Sequence, residues 1–194
     1  AVCALLAAAV NASLLVAPVG GAAAIAARMA TGALLAGIYP VGMKIAVGWG
    51  VRDRGFLVGL LVGALTLGSA MPHLIAFAGG ADWRLTVAWA SFAAVGGGLV
   101  CLAVRLGPHH ATAPRFNLRA ATTAWTDRRI RLAYAGYFGH MWELYAMWTW
   151  AGAALAASLA PSLSPGDAGA LARLTTFGAI GLGGLGCVAA GFLA

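Results

Sequence analysis

Charge is what this sequence has least of. Only 9% of its 194 residues are charged, and just 5 are acidic. A soluble domain is about a quarter charged. A chain that is 62% hydrophobic, with a mean hydropathy of +0.89, cannot cover its own surface in water. Cysteine is nearly absent. Cys3, Cys101 and Cys187 lie in apolar stretches and form no Cys-x-x-Cys pair, so they read as free, buried thiols with no disulfide or metal role. There is no Gly-x-x-x-x-Gly-Lys-[Ser/Thr] loop, so nothing in the chain supports direct driving by ATP. No cofactor is expected. The formal charge of +7 would point to nucleic acid in a soluble protein. Here it has a simpler source, because cytoplasmic loops of membrane proteins collect Lys and Arg, and no nucleic-acid partner is expected.

What the sequence does have is long apolar runs. The stretch from Ala22 to Ile75 holds two of them, joined by the hinge Arg52-Asp53-Arg54-Gly55. About 20 apolar residues cross a bilayer. Six transmembrane helices are predicted, over residues 1–17, 22–49, 56–78, 85–104, 132–159 and 167–194, giving an all-α polytopic membrane protein in a lipid bilayer. Breakers separate them: residues 18–21, the charged hinge after Gly50, Gly79-Gly80, and the Ser/Pro-rich turn at 160–166. Trp83 is placed for a membrane interface. Thr126 or Asp127 is expected to cap the fifth span. Phe116–Trp125 reads as a short interfacial helix inside the one long polar stretch.

The loops set the orientation. Connections after the second and fourth spans hold eight basic residues: Arg52, Arg54, Arg105, Arg115, Arg119, Arg128, Arg129 and Arg131. Those after the first, third and fifth hold only Arg84. That alternation places loops 50–55 and 105–131 in the cytoplasm. Residues 1–104 then form one bundle, 105–131 a basic interdomain loop, and 132–194 the start of a second bundle. Gly55, Gly59 and Gly63, like Gly32 and Gly37, are read as helix-packing positions.

Ionisable groups within spans are costly and mark functional sites. In the fifth span Glu143 sits near mid-depth, with His140 on the same face one turn earlier and Gly136 and Trp150 close to that stripe. A carboxylate and an imidazole there suit proton binding. The span's aromatics either stack on a solute or fill an interface. In the second span Arg28 shares its face with Gly32, Leu35 and Tyr39, and either receives an anionic group or snorkels to the outer interface. Lys44 is about 160° round the helix from Arg28 and is expected to snorkel, as is Arg173. His73 reads as interfacial, and His109-His110 as a weak metal signal.

Several of these features together resemble the major facilitator superfamily of transporters. Arg28-Met-Ala-Thr-Gly32 resembles the Arg-x-x-x-Gly element of that family's fourth span. Tyr39-Pro40 with the Arg52–Gly55 hinge resembles its four-to-five connection, Trp83-Arg84 its entry to span six, and the basic loop its central linker. The resemblance implies that this chain is a fragment holding spans three to eight of twelve, with parts of both six-helix halves. It implies a monomer in a bacterial inner membrane, not an enzyme. It also implies that the spans of Arg28 and Glu143 line one central cavity. The expected function is secondary transport of a small solute by alternating access, coupled to protons and with a lean towards anions. Substrate or proton binding would fall to Arg28, Tyr39, His140, Glu143 and Trp150. The alternatives are an intramembrane serine-protease-like enzyme acting through Ser69, and a scaffold that transports nothing. One departure stands against the antiporter branch of the family: residues 67–72 read Leu-Gly-Ser-Ala-Met-Pro where that branch has a Gly-Pro element. In this register the family's Gly-Asp-Arg hinge, between its second and third spans, would precede Ala1.

Overall fold

The computed structural model describes residues 1–18, 20–79, 82–110, 112, 122–123 and 125–194. Among them there is no strand. The elements are α1 (Val2–Ala12, continued by a 3-10 turn Ser13–Leu15), α2 (Ala22–Leu35), α3 (Tyr39–Val47), α4 (Arg54–Gly79), α5 (Trp83–Ala103), α6 (Arg128–Leu159) and α7 (Pro165–Leu193). Among the described residues four helical segments are long and apolar enough to cross a membrane: Ala22–Val47 (α2 with α3), Arg54–Gly79, Trp83–Ala103 and Pro165–Leu193. The protein is therefore an all-helical, membrane-embedded chain. The other two expected spans differ. Val2–Leu15 is apolar but short. The helix α6 is long, at 32 residues, but its Tyr, Trp, His140 and Glu143 make it less apolar than those four. The expected interfacial helix at 116–125 falls largely outside the described residues.

Caps explain where several helices start. Asp82 Oδ1 accepts from the Arg84 N–H at 2.9 Å, opening α5. Asp127 Oδ1 accepts from the Arg129 and Ile130 amides at 2.7 and 3.4 Å, opening α6. At α7, Ser164 Oγ donates to Asp167 Oδ2 at 2.6 Å and accepts from the Asp167 amide at 3.2 Å. Each satisfies amides that a helix start leaves without an internal partner. Pro165 at the first position of α7 loses nothing, since its missing N–H would be unpaired there anyway.

The expected second span is not continuous. It breaks at residues 36–38, between α2 and α3. Pro40 is the second residue of α3. It has no amide to offer the Ala36 carbonyl, and in a straight helix its ring would strike that group. The chain tightens instead, with the Gly37 and Ile38 amides reaching back three residues to Leu34 and Leu35. Gly37 turns its bare Cα towards α1, where a Cβ would stand 2.7 Å from Cys3 Sγ. The two helices together still have a span's length.

The chain divides into two compact units, Ala1–His110 with Phe177–Ala194, and Ala111–Thr176. In the first, α1 packs on α2 and on α5. Gly98 of α5 lets Leu5 and Ala4 approach, with a Cβ there 3.1–3.3 Å from their side chains. One end gathers the close of α1 with the starts of α2 and α5, because Leu14, Ala24 and Trp83 share one groove. The other end joins α3 to the chain after α5. There the His109 amide donates to the Gly48 carbonyl at 3.0 Å, and Trp49 Nε1 donates to the Arg105 carbonyl at 3.1 Å. The connection at 48–54 and residues 105–110 thus lie on one side.

In the same unit the last turns of α7 run against α4 through glycines. A Cβ on Gly59 would lie 2.6 Å from the Cys187 carbonyl, and one on Gly63 would lie 2.8 Å from that of Gly184. Phe56 and Phe192 close the end of this pair edge to face, with centroids 6.2 Å apart. Gly55, Gly59 and Gly63 are packing positions, as expected. Gly32 is not, since a Cβ there meets nothing within 4 Å. The three cysteines are free, but none is fully buried and Cys101 is exposed.

Candidate functional site

The site residues expected from sequence fall in both units. Arg28 and Tyr39 belong to the first; His140, Glu143 and Trp150 belong to the second.

On α6, Met141, Leu144, Trp148, Gly152, Leu155 and Leu159 are half-buried. They recur every three or four residues and so trace one side of the helix. Glu143 lies on the opposite side, and Gly136, His140 and Trp150 are exposed with it. The structure therefore keeps the His140–Glu143 stripe together and leaves it open. Because α6 starts at Arg128, Glu143 is 15 residues beyond its first residue, roughly 22 Å at 1.5 Å per residue. That is close to the middle of the helix. Among the described residues Glu143 and His140 make no hydrogen bond or ion pair. Gly136 and Gly139 flank them, and a Cβ at either would meet nothing within 4 Å. The stripe is a smooth surface carrying a carboxylate and an imidazole.

The aromatics of α6 form a separate surface. Phe138, Met141, Trp142, Tyr145, Thr149 and Trp150 line a groove of about 450 Å³ along the helix. Tyr145 stacks edge to face on Trp148, with centroids 5.6 Å apart, and its carbonyl accepts from Thr149 Oγ1 at 2.7 Å. Trp150 borders both the groove and the Glu143 stripe. The indole Nε1 of Trp148 is buried with no hydrogen-bond partner among the described residues.

On α2, Thr31 and Leu34 are half-buried, whereas Arg28, Gly32 and Leu35 are exposed, as is Tyr39 at the start of α3. Arg28 and the three residues expected to share its face are thus all exposed. Arg28 also lines the groove between α1, α2 and α5, of about 420 Å³. Lys44 is exposed in the last turn of α3, where a cation suits the negative end of the helix dipole.

Sequence reasoning missed a buried polar junction. Asn11 of α1 donates from Nδ2 to Ser91 Oγ at 2.9 Å and to the Val87 carbonyl at 3.3 Å, and Ser91 Oγ donates to the same carbonyl at 2.8 Å. Its signal was a lone amide in an apolar, alanine-rich helix. Ser69, the nucleophile of the enzyme alternative, donates to the Leu65 carbonyl of its own helix at 3.0 Å. Among the described residues no three His, Cys, Asp or Glu side chains cluster as metal ligands would. No family model matches this sequence, and neither a curated protein nor a solved structure matches it.

Proposed function

We propose that this chain forms part of a secondary transporter of the major facilitator type, moving a small solute by alternating access. In this reading it supplies spans three to eight, the residues before the basic linker belong to one bundle, and α6 and α7 begin the other. Glu143 takes up the coupled proton, His140 shares its face, and Trp150 stands beside the solute path.

The observation that carries the reading is the open His140–Glu143 stripe midway along α6. A carboxylate at that depth in a membrane protein faces a protein interior or a hydrated path rather than oil. The smooth flanks at Gly136 and Gly139 leave room beside it for a solute or a packed helix. A second feature supports the same reading. Helices on either side of the basic linker, α4 and α7, touch through glycines, and small residues allow a close contact without interlocking side chains. A smooth contact between helices from the two sides of the linker suits a rocking transporter. The enzyme alternative is weaker, since the Ser69 hydroxyl is engaged by its own helix.

Reconstitution of the full-length protein into liposomes tests the proposal. An imposed inward proton gradient should drive accumulation of at least one solute from a broad panel of small organic and inorganic compounds. No gradient-driven uptake and no counterflow of any solute, in vesicles whose protein is folded and correctly inserted, would leave the scaffold reading in its place.

A further inference from the structure

The groove that holds Arg28 has features a transported solute does not require. It lies at the end where α2 and α5 begin, opposite the end carrying Trp49 and Arg105. Its walls are apolar: Leu14 and Ala17 from α1 and its extension, Ala24 and Met29 from α2, and Val87 from α5. Trp83 closes it, and Arg84 lies over the Trp83 ring, its Cζ 5.5 Å from the centroid. Among the described residues the acid next to Trp83 in the chain is Asp82, whose Oδ1 accepts from the Arg84 amide. Gly21, at the N-cap of α2, makes no side-chain cap hydrogen bond, so the first amides of that helix add positive potential at the same end.

Depth decides what Arg28 can reach. It is six residues beyond Ala22, about 9 Å at 1.5 Å per residue. The segment of 26 residues formed by α2 and α3 together is about 39 Å long at helical rise, so it overshoots a hydrocarbon core of roughly 30 Å by a few ångströms at each end when centred in it. Arg28 Cα then sits several ångströms inside the hydrocarbon. Its guanidinium cannot lose its charge, and among the described residues it has no hydrogen bond or ion pair. Reaching outward along the groove brings it to the level of the lipid phosphates, beside an indole that prefers the same level. A guanidinium fits a phosphate with two parallel hydrogen bonds.

We propose that this groove is a binding site for a single phospholipid of net negative charge. Its phosphate is held by Arg28, with Arg84 near the headgroup, and one acyl chain lies along Leu14, Ala24 and Met29. A hydrocarbon chain gains only packing by leaving bulk lipid for the groove, so Arg28 supplies the selectivity. This site does not depend on the transport reading, and it gives Arg28 a ligand other than the transported solute.

Native mass spectrometry and tryptophan quenching on the purified full-length protein test it. Phosphatidylglycerol should bind more tightly than phosphatidylcholine of the same chains. Arg28→Gln should weaken phosphatidylglycerol binding roughly tenfold, as loss of a charge-assisted contact does, and Arg28→Lys should recover part of it. Phosphatidylglycerol brominated on one chain should quench fluorescence that Trp83→Phe removes. Ala24→Phe, which fills the groove and keeps the charge, should also displace the lipid, so the test survives if Arg28→Gln does not fold. Equal binding of both lipids, or unchanged binding to the folded Arg28→Gln and Ala24→Phe proteins, overturns the proposal. Displacement of the lipid by millimolar inorganic phosphate overturns it too, in favour of a soluble anion at Arg28.

Discussion

Asn11 and Ser91 are hydrogen-bonded across the α1–α5 interface, Nδ2 to Oγ at 2.9 Å, and both are buried. Helices in a bilayer have no hydrophobic force between them, so packing and such bonds hold the pair together. Asn11 also reaches the Val87 carbonyl, which locks the register of α1 on α5. Asn11→Ala should destabilise the protein by about 1–2 kcal/mol, because it removes two interhelical bonds and leaves a small void. Ser91→Ala should cost less, since Asn11 keeps its bond to Val87. A double-mutant cycle of the two should give a coupling of about 0.5–1.5 kcal/mol, read from reversible unfolding in mixed micelles. Additive effects would show that the contact adds nothing beyond burial.

Glycines 59 and 68 lie on the same helix and should respond in opposite directions. A Cβ on Gly59 would meet the Cys187 carbonyl at 2.6 Å and Gly191 Cα at 2.9 Å, both backbone atoms that cannot swing aside. Gly59→Ala should therefore push α7 from α4 and cost about 1–3 kcal/mol, the range of an overpacked interior. Gly68 has open space where its Cβ would be. Gly68→Ala should be neutral or stabilise by up to about 1 kcal/mol, because alanine loses less backbone freedom in a helix. Thermal unfolding of the two variants side by side checks the contrast.

The ridge Gly55–Gly59–Gly63 and a cap at Thr126 or Asp127, of which the structure uses Asp127, were legible in the sequence because their signals are local. A small-xxx-small spacing or a carboxylate before a helix start depends on a few neighbouring residues. The Asn11–Ser91 bond was not legible, since its partners are 80 residues apart. A single amide in an alanine-rich run says that a partner is needed, not which one. The break at 36–38 was half visible. Pro40 stands in the sequence, but the run stays apolar on both sides, and Cys3, which meets Gly37 at the break, lies on another helix. That His140 and Glu143 share a face of α6 was legible from helical periodicity alone. The start of α6 is expected too late from sequence, because arginines 128 to 131 read as loop, whereas the Asp127 cap draws them into the helix.

Pro40 tests how the break is maintained. In Pro40→Ala the new amide can reach the Ala36 carbonyl and join α2 to α3. One added helical bond, worth about 1 kcal/mol, should slow amide exchange at residues 37–42 roughly fivefold. Hydrogen-exchange mass spectrometry on the segment reads this directly. Unchanged exchange would assign the break to the Gly37–Cys3 contact rather than to proline, and Gly37→Ala, whose Cβ would crowd Cys3 Sγ at 2.7 Å, would then be the variant that moves α1.

Glu143 offers the sharpest functional prediction, because its side chain is exposed on α6 and its loss leaves no hole. Glutamine keeps the size and the hydrogen-bonding capacity of the carboxyl group but cannot gain or lose a proton. If the proton bound at Glu143 drives the solute, Glu143→Gln should abolish accumulation against a gradient while solute exchange down its gradient persists. Coupling between two ligands in one protein amounts to 1–3 kcal/mol, so accumulation should fall by about 5–150-fold. The pH dependence of uptake should flatten at the same time, and His140→Asn should alter it less, since His140 neighbours Glu143 rather than replacing it. Uptake by reconstituted protein across pH 5 to 8, with and without an imposed gradient, separates the cases. A Glu143→Gln protein that still accumulates solute with an unchanged pH profile would make the carboxylate a packing residue, and the proton would have to bind elsewhere.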